Sequence, residues 1–225
     1  MMNNLFSIFD PFSSIMNIQL NWLSSTLIFL FLPLNYWMNP SRFNMIFMMM
    51  FNFLNNEINN LMKSSNFKGN KMLFLTLFMM ILFNNFLGLF PYIFTSTSHL
   101  IFNLTFSLPI WLSLMFFGWL NKTQNMFIHL IPTGTPPILM PFMVLIETIS
   151  NMIRPGTLAI RLTANMIAGH LLITLLSQNG TSMPIFMVFF LISMEILLLI
   201  LEMSVSIIQT YVFTILSSLY TSEIH

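Results

Sequence analysis

The sequence predicts an all-α integral membrane protein. It has about five membrane-embedded helices, an amphipathic surface helix and a long, strongly tilted C-terminal helix hairpin. Three observations predict it. Hydrophobic residues make up 56% of the 225-residue chain and charged residues only 6%, against about 25% charged in soluble domains. The apolar residues fall into runs of spanning length, since a helix needs about 20 of them to cross a bilayer. The last two runs are far longer and carry embedded charges.

The first expected span is 18–37, flanked by Trp22, Tyr36 and Trp37, aromatic types that favour the membrane interface. A basic stretch, 38–71, follows with Arg42, Glu57, Lys63, Lys68 and Lys71. Its centre, "FNMIFMMMFNFLNNEINNLM", suits a helix lying along the membrane surface. A helical hairpin then covers 72–120. Its first arm is "MLFLTLFMMILFNNFLGLF", ended by Pro91, and its second is "LIFNLTFSLPIWLSLMFFGWL", with Pro109 as an expected kink. Residues 121–137 read as a loop, with Lys122 and the breakers Pro132, Gly134, Pro136 and Pro137.

The C-terminal hairpin covers 138–220. Residues 138–177 are apolar with embedded charges, and a break or bend is expected at Pro155-Gly156. After "SQNGTS", no Gly or Pro occurs from Ile185 onward, so one helix of roughly 36 residues is expected. At about 1.5 Å per residue it is roughly 54 Å long, against a hydrocarbon core of about 30 Å. Such a helix must tilt strongly or run partly in the membrane plane. With a turn near 180–181, Arg161 is expected level with about position 200, within a turn of Glu202. No internal repeat breaks the chain, which reads as a single membrane domain, 1–225.

Loops 38–71 and 121–137 hold Arg42, Lys63, Lys68, Lys71 and Lys122, whereas 91–99 and 178–183 hold no Lys or Arg. The basic side is the cytoplasm or mitochondrial matrix. The C-terminus is expected there and the N-terminus opposite. "MMNNLFSIFDPF" lacks a basic n-region and reads as neither signal nor transit peptide, so the chain is expected to be made where it is inserted.

Composition also narrows chemistry. The net charge of +1 gives no bias toward nucleic acid, and no cysteine is present, which removes disulfides and thiolate sites. His99, His129, His170 and His225 are scattered without metal-ligand spacing. No Gly-rich phosphate loop appears. No cofactor or metal is expected.

The hairpin holds Glu147, Arg154, Arg161, His170, Glu195 and Glu202. A charge at mid-bilayer costs roughly 2.5–3.5 kcal/mol on insertion scales, and such residues read by default as an ion or proton pathway. Glu147, Arg154 and Arg161 are seven apart, as are Glu195, Glu202 and Gln209. A seven-residue step drifts only about 20° around a helix, so each set marks one stripe. Asn165 shares a face with Arg161, and His170 points the opposite way. Ala164 and Ala168 adjoin Arg161, and small residues permit close helix approach. Plainer readings exist for each residue. Arg154 and Glu147 are end residues or anchors, and Glu195 snorkels or pairs locally. Asn165 and Gln209 are interhelical hydrogen bonders, Arg161 and Glu202 form a structural bridge, and His99 and His129 are interfacial.

"LIETISNMIRPGTLAIRLTANMIAGHLL" (145–172) and "LEMSVSIIQTYVFTIL" (201–216) closely resemble subunit a of the rotary ATP synthase, in its mitochondrial form. "LFNNFLGLFPYIFTSTSH" (82–99) and "GTPPILMPFMVLIETIS" (134–150) fit as well. The likeness covers the chain from about residue 72 and is weaker before. It implies a stator proton channel, not catalytic alone, in the mitochondrial inner membrane. The N-terminus would then face the intermembrane space and the C-terminus the matrix. Its implied partners are a ring of small carboxylate-bearing hairpins (subunit c), the peripheral stalk and other membrane-sector subunits. Arg161 matches the family's essential arginine, between two half-channels, with Asn165 and Gln209 near it. His170 and Glu202 match residues of the access channel from the intermembrane space, and Glu147 one of the exit channel. Arg154 and Glu195 carry no assigned role.

Elementary chemistry agrees. Arginine stays protonated and cannot relay a proton, but it lowers a facing carboxylate's pKa. Glutamate and histidine do titrate in reach of neutrality. The alternatives are a proton-coupled secondary transporter and a proton-pumping respiratory-complex subunit. The first predicts an internal repeat, the second buried lysines, and neither is present in the spans. A passive structural subunit leaves the buried charges unexplained.

Overall fold

Four apolar helices form the body of the protein, the first two of them joined through a short 3₁₀ turn, Ser96–Ser98. The computed structural model describes residues 5–13, 18–31, 39–62, 68–131, 136–180 and 183–224. Among the described residues every regular element is helical. The α-helices are α1 (Ile28–Phe31), α2 (Arg42–Leu61), α3 (Lys68–Gly88), α4 (Leu100–Asn121), α5 (Thr123–His129), α6 (Met140–Gly180) and α7 (Ile185–Ile224). Four of these, α3, α4, α6 and α7, are long and apolar enough to cross a membrane.

The span expected at 18–37 is described only to residue 31, and 32–37 lie outside the described residues. Leu20–Leu30 is an apolar run shorter than a crossing, and Leu20–Thr26 winds as a 3₁₀ helix. The Ser25 and Thr26 hydroxyls donate to the Trp22 and Leu23 carbonyls at 2.8 and 2.7 Å. These local bonds compete with regular α-helical pairing. Ile28 is buried, and α1 rests on α3.

Helix α2 starts at Ser41, whose hydroxyl accepts from the Asn44 N–H at 3.3 Å, satisfying one orphan donor of the first turn. It docks on α3 through Leu54, which packs with Phe78, Met79 and Leu82, and through Ile58 with Met62 and Phe74. Phe43, Ile46, Met49 and Phe53 stay exposed on its other side. The surface helix therefore has a second apolar face directed away from the protein. Lys63 lies outside the described residues.

Helix α3 is the enclosed central post, with over half of its apolar window buried, whereas most of α7's window faces outward. Ile81 of α3, Leu158 and Leu162 of α6 and Phe213 of α7 form the main core, with Phe106 and Ile110 of α4 packed against it. Helix α4 runs unbroken through Pro109. The loop expected at 121–137 contains α5, and its residues 132–135 lie outside the described ones.

The C-terminal hairpin differs from expectation in two ways. First, α6 is not interrupted at Pro155-Gly156; it runs 41 residues. Proline removes one backbone bond, yet apolar membrane helices tolerate this when neighbouring groups satisfy the freed carbonyls. Pro155 is buried in the packed middle of α6, between neighbours that hold the helix on either side. Second, the register is shifted. Gly180 packs beside Leu191, Gly169 beside Glu202, and Arg154 beside Tyr220. These three pairs share one antiparallel register, which sets Arg161 level with about position 210, by the roughly 1.5 Å rise per residue. The reason is the start of α7: Ile185–Phe190 extends past the end of α6 before the helices meet. Gln209, rather than Glu202, is therefore level with Arg161.

At 41 and 40 residues, α6 and α7 are each roughly 60 Å long, twice the hydrocarbon thickness of about 30 Å. The strong tilt expected of this hairpin follows from those lengths.

Candidate functional site

Three groups of polar side chains are strung along the α6–α7 hairpin. Their order along α6 is Glu147 and Arg154, then Arg161 and Asn165, then Gly169 and His170.

The deepest group is His170 with Glu202. Glu202 is buried and His170 largely so, and Nε2 of His170 lies 3.7 Å from Oε1 of Glu202. That exceeds a direct hydrogen bond, so a small shift or one bridging water would join them. Gly169 makes room for the carboxylate: a Cβ there would meet Oε1 of Glu202 at 2.5 Å. Beside Glu202 a cavity of about 10 Å³ is lined by Asn85, Asn165, Ser206 and Gln209, closed by Leu162, Met166 and Val205. This matches the roughly 10–15 Å³ that one water needs, and is far too small for a metabolite. Both side-chain atoms of Asn85, both carboxylate oxygens of Glu202 and Oε1 of Gln209 are enclosed without a direct hydrogen-bond partner. The cavity thus joins Glu202 to Asn165 and Gln209, beside Arg161.

A second polar tract leads to this group from the 3₁₀ turn Ser96–Ser98. The Ser96 hydroxyl donates to Asn84 Oδ1 at 3.3 Å, and Asn103 Nδ2 donates to the Thr97 carbonyl at 2.8 Å. The N-terminal turn Leu5–Phe9 closes the same end. His99 Nε2 is 3.0 Å from the Phe9 carbonyl, and the Phe9 ring stands edge-on to His170 with centroids 6.4 Å apart. The rings of Trp22 and Phe94 flank His99 at 5.2 Å each.

Arg161 is different. Its side chain is exposed, and so are Ala164 and Ala168 on the same side of α6, while Leu158, Leu162 and Met166 are buried on the other. Among the described residues no carboxylate pairs with Arg161. The structural bridge from Arg161 to Glu202 is not formed, because Glu202 lies against Gly169 and His170. A permanent cation on an apolar helix is costly in lipid. Here it stands on a face whose small side chains let another helix approach closely.

At the far end Arg154 Nη2 bonds Glu147 Oε1 at 3.3 Å, and the Arg154 guanidinium lies 4.9 Å over the Tyr220 ring. Arg154 is thus an anchor that ties Glu147 to the end of α7. Glu195 stands apart from the other charges. It is half-buried on the stripe of α7 that continues through Glu202 and Gln209, and its Oε1 is enclosed. The ring of His129 and all of His225 lie outside what the structure describes.

Four participants escape the sequence reading: Asn85, Gly169, Tyr220, and the Glu57–Tyr211 pair, in which the phenol donates to Glu57 Oε2 at 2.7 Å. The adjacent asparagines 84 and 85 in mid-span are a usable signal, since polar side chains there need partners. The other three depend on helix register, which carries no local sequence mark.

Residues 18–222 match the family described as ATP synthase A chain. The chain is 58% identical to ATP synthase subunit a of Drosophila simulans over 225 residues, covering all of both proteins. It is 56% identical to the Anopheles gambiae subunit and 55% to that of Locusta migratoria, again across the full length of both. The chain belongs to the ATP synthase A chain family, and is a proton-channel subunit of the synthase's membrane sector.

Proposed function

We propose that the chain is the stator side of a proton turbine in the mitochondrial inner membrane. It works against a ring of small hairpin subunits, each with one carboxylate. It is not catalytic alone, and ATP chemistry belongs to other subunits of the complex. The observation that carries this reading is Arg161: exposed, unpaired among the described residues, and set among Ala164 and Ala168 on an apolar helix. A carboxylate arriving from outside the chain satisfies the cation and explains the small neighbours.

The steps follow from the order of groups along α6. Protons reach Glu202 and His170 from the side of the N-terminal turn and residues 91–99, and pass by the cavity at Asn165 and Gln209 to a ring carboxylate. The neutralised carboxylate leaves Arg161 and moves into lipid. On the other side of Arg161 a returning carboxylate meets the guanidinium, which favours its charged form, and releases its proton toward Glu147. Arg154 positions Glu147. Arg161 cannot carry the proton itself, so it also prevents a direct leak between the two routes. The Lys and Arg of loops 38–71 and 121–137 support a C-terminus in the matrix and an N-terminus in the intermembrane space. Peripheral-stalk subunits and the ring complete the partners.

A cysteine at Ala164 tests this. The chain has no cysteine of its own, so a disulfide is assignable. Ala164→Cys should cross-link to a cysteine placed one turn from the ring carboxylate, and Ile196→Cys should not. Cross-linking from position 196 but not from 164 would reject the face proposed for the ring.

A further inference from the structure

We propose that Glu195 is the outermost proton-accepting carboxylate of the inlet, upstream of Glu202, an inference that rests on the access route just described. Leu191, Glu195 and Leu198, half-buried, lead to the buried Glu202 in one stripe of α7, while Ile192, Met194, Ile196 and Leu197 around it are exposed. Gly180 lies beside Leu191 and Gly169 faces Glu202, so this stripe is the one that faces α6, and Glu195 lies on it level with about position 176, from the roughly 1.5 Å rise per residue. Its Oε1 is enclosed and makes no hydrogen bond.

A carboxylate with one oxygen enclosed on an apolar helix is costly unless it has work to do or water to meet. Snorkelling requires the group to turn outward to an interface, yet Glu195 Oε1 is turned inward. Glu195 is also one heptad from Glu202, about 10 Å along the helix axis toward the end of the hairpin. That end carries Gln178 and Asn179, and no Lys or Arg lies in 178–183 to bind the carboxylate permanently. The next titratable groups along the interface are His170 and Glu202. The step balances simply. Glu195 takes a proton from hydronium, forming one O–H bond, and that bond breaks as water carries the proton to Glu202, restoring the carboxylate.

The test uses the assembled synthase in sealed inner-membrane vesicles, with proton-driven ATP synthesis recorded against pH on the inlet side. Glu195→Gln keeps size and hydrogen-bonding capacity. It should lower the rate several-fold at alkaline inlet pH, where proton capture limits, and leave the rate at acid pH close to normal. Glu195→Asp should restore most of the loss. A Glu195→Gln curve that overlays the parent curve, beside a Glu202→Gln control that is impaired, would overturn the proposal. An equal loss at every pH would also overturn it, because a merely structural role acts that way. If Glu202→Gln were itself unimpaired, the access route would fail and the role of Glu195 with it.

Discussion

Gly169 of α6 and Glu202 of α7 fit so closely that a Cβ on residue 169 would meet the carboxylate, at 2.5 Å from Oε1 and 2.7 Å from Cδ. The contact is with the tip of a flexible side chain rather than with backbone. A methyl group there would displace the carboxylate and leave the helices in place. Gly169→Ala should therefore assemble at near-normal levels and lose most proton-driven ATP synthesis, with about 1–3 kcal/mol of overpacking concentrated at Glu202. Membrane-sector abundance and proton flux, measured on the same preparation, separate the two effects. Normal flux in an assembled Gly169→Ala complex would mean that the position of Glu202 does not matter.

Arg154 is held by Glu147 at 3.3 Å and by the Tyr220 ring at 4.9 Å. The ring contact should be worth about 0.5–2 kcal/mol. Tyr220→Phe keeps an aromatic face and should match the parent in thermal stability of the complex. Tyr220→Leu should lower it. Equal stability of both variants would show that the cation–ring contact contributes nothing.

The Tyr211 phenol donates to Glu57 at 2.7 Å and joins the surface helix to α7. Both groups are only half buried, so losing this bond should cost about 1–2 kcal/mol. Tyr211→Phe should loosen α2, seen as faster amide exchange across Arg42–Leu61. Glu57→Gln, which still accepts the bond, should exchange nearly as slowly as the parent. If Tyr211→Phe leaves exchange unchanged, α2 is held by its apolar contacts to α3 alone.

Apolar run length made the four long helices legible, and the absence of Gly and Pro after Ile185 identified α7 as one helix. The charges of the hairpin were legible because nothing else in an apolar segment competes for attention. Register was not. The overhang of Ile185–Phe190 depends on how two helices meet, and no residue in the turn announces it. Hence Glu202 was expected beside Arg161 and is found beside Gly169 and His170. Of the break or bend expected at Pro155, no break occurs: a proline interrupts an isolated helix, but a packed apolar helix continues through it. Within the first expected span the described part opens as a 3₁₀ helix, where the Ser25 and Thr26 hydroxyls bond locally. Gly169 and Tyr220 gained meaning only from neighbours distant in sequence.

The most direct test of the account is Arg161→Ala in the assembled synthase, with complex abundance and proton-driven ATP synthesis measured together. The cation stands exposed on its helix, so its removal should leave assembly intact. Synthesis should fall to background, because no group then holds the ring carboxylate charged or separates the two proton routes. Coupled synthesis at the parent rate in that variant would contradict the account.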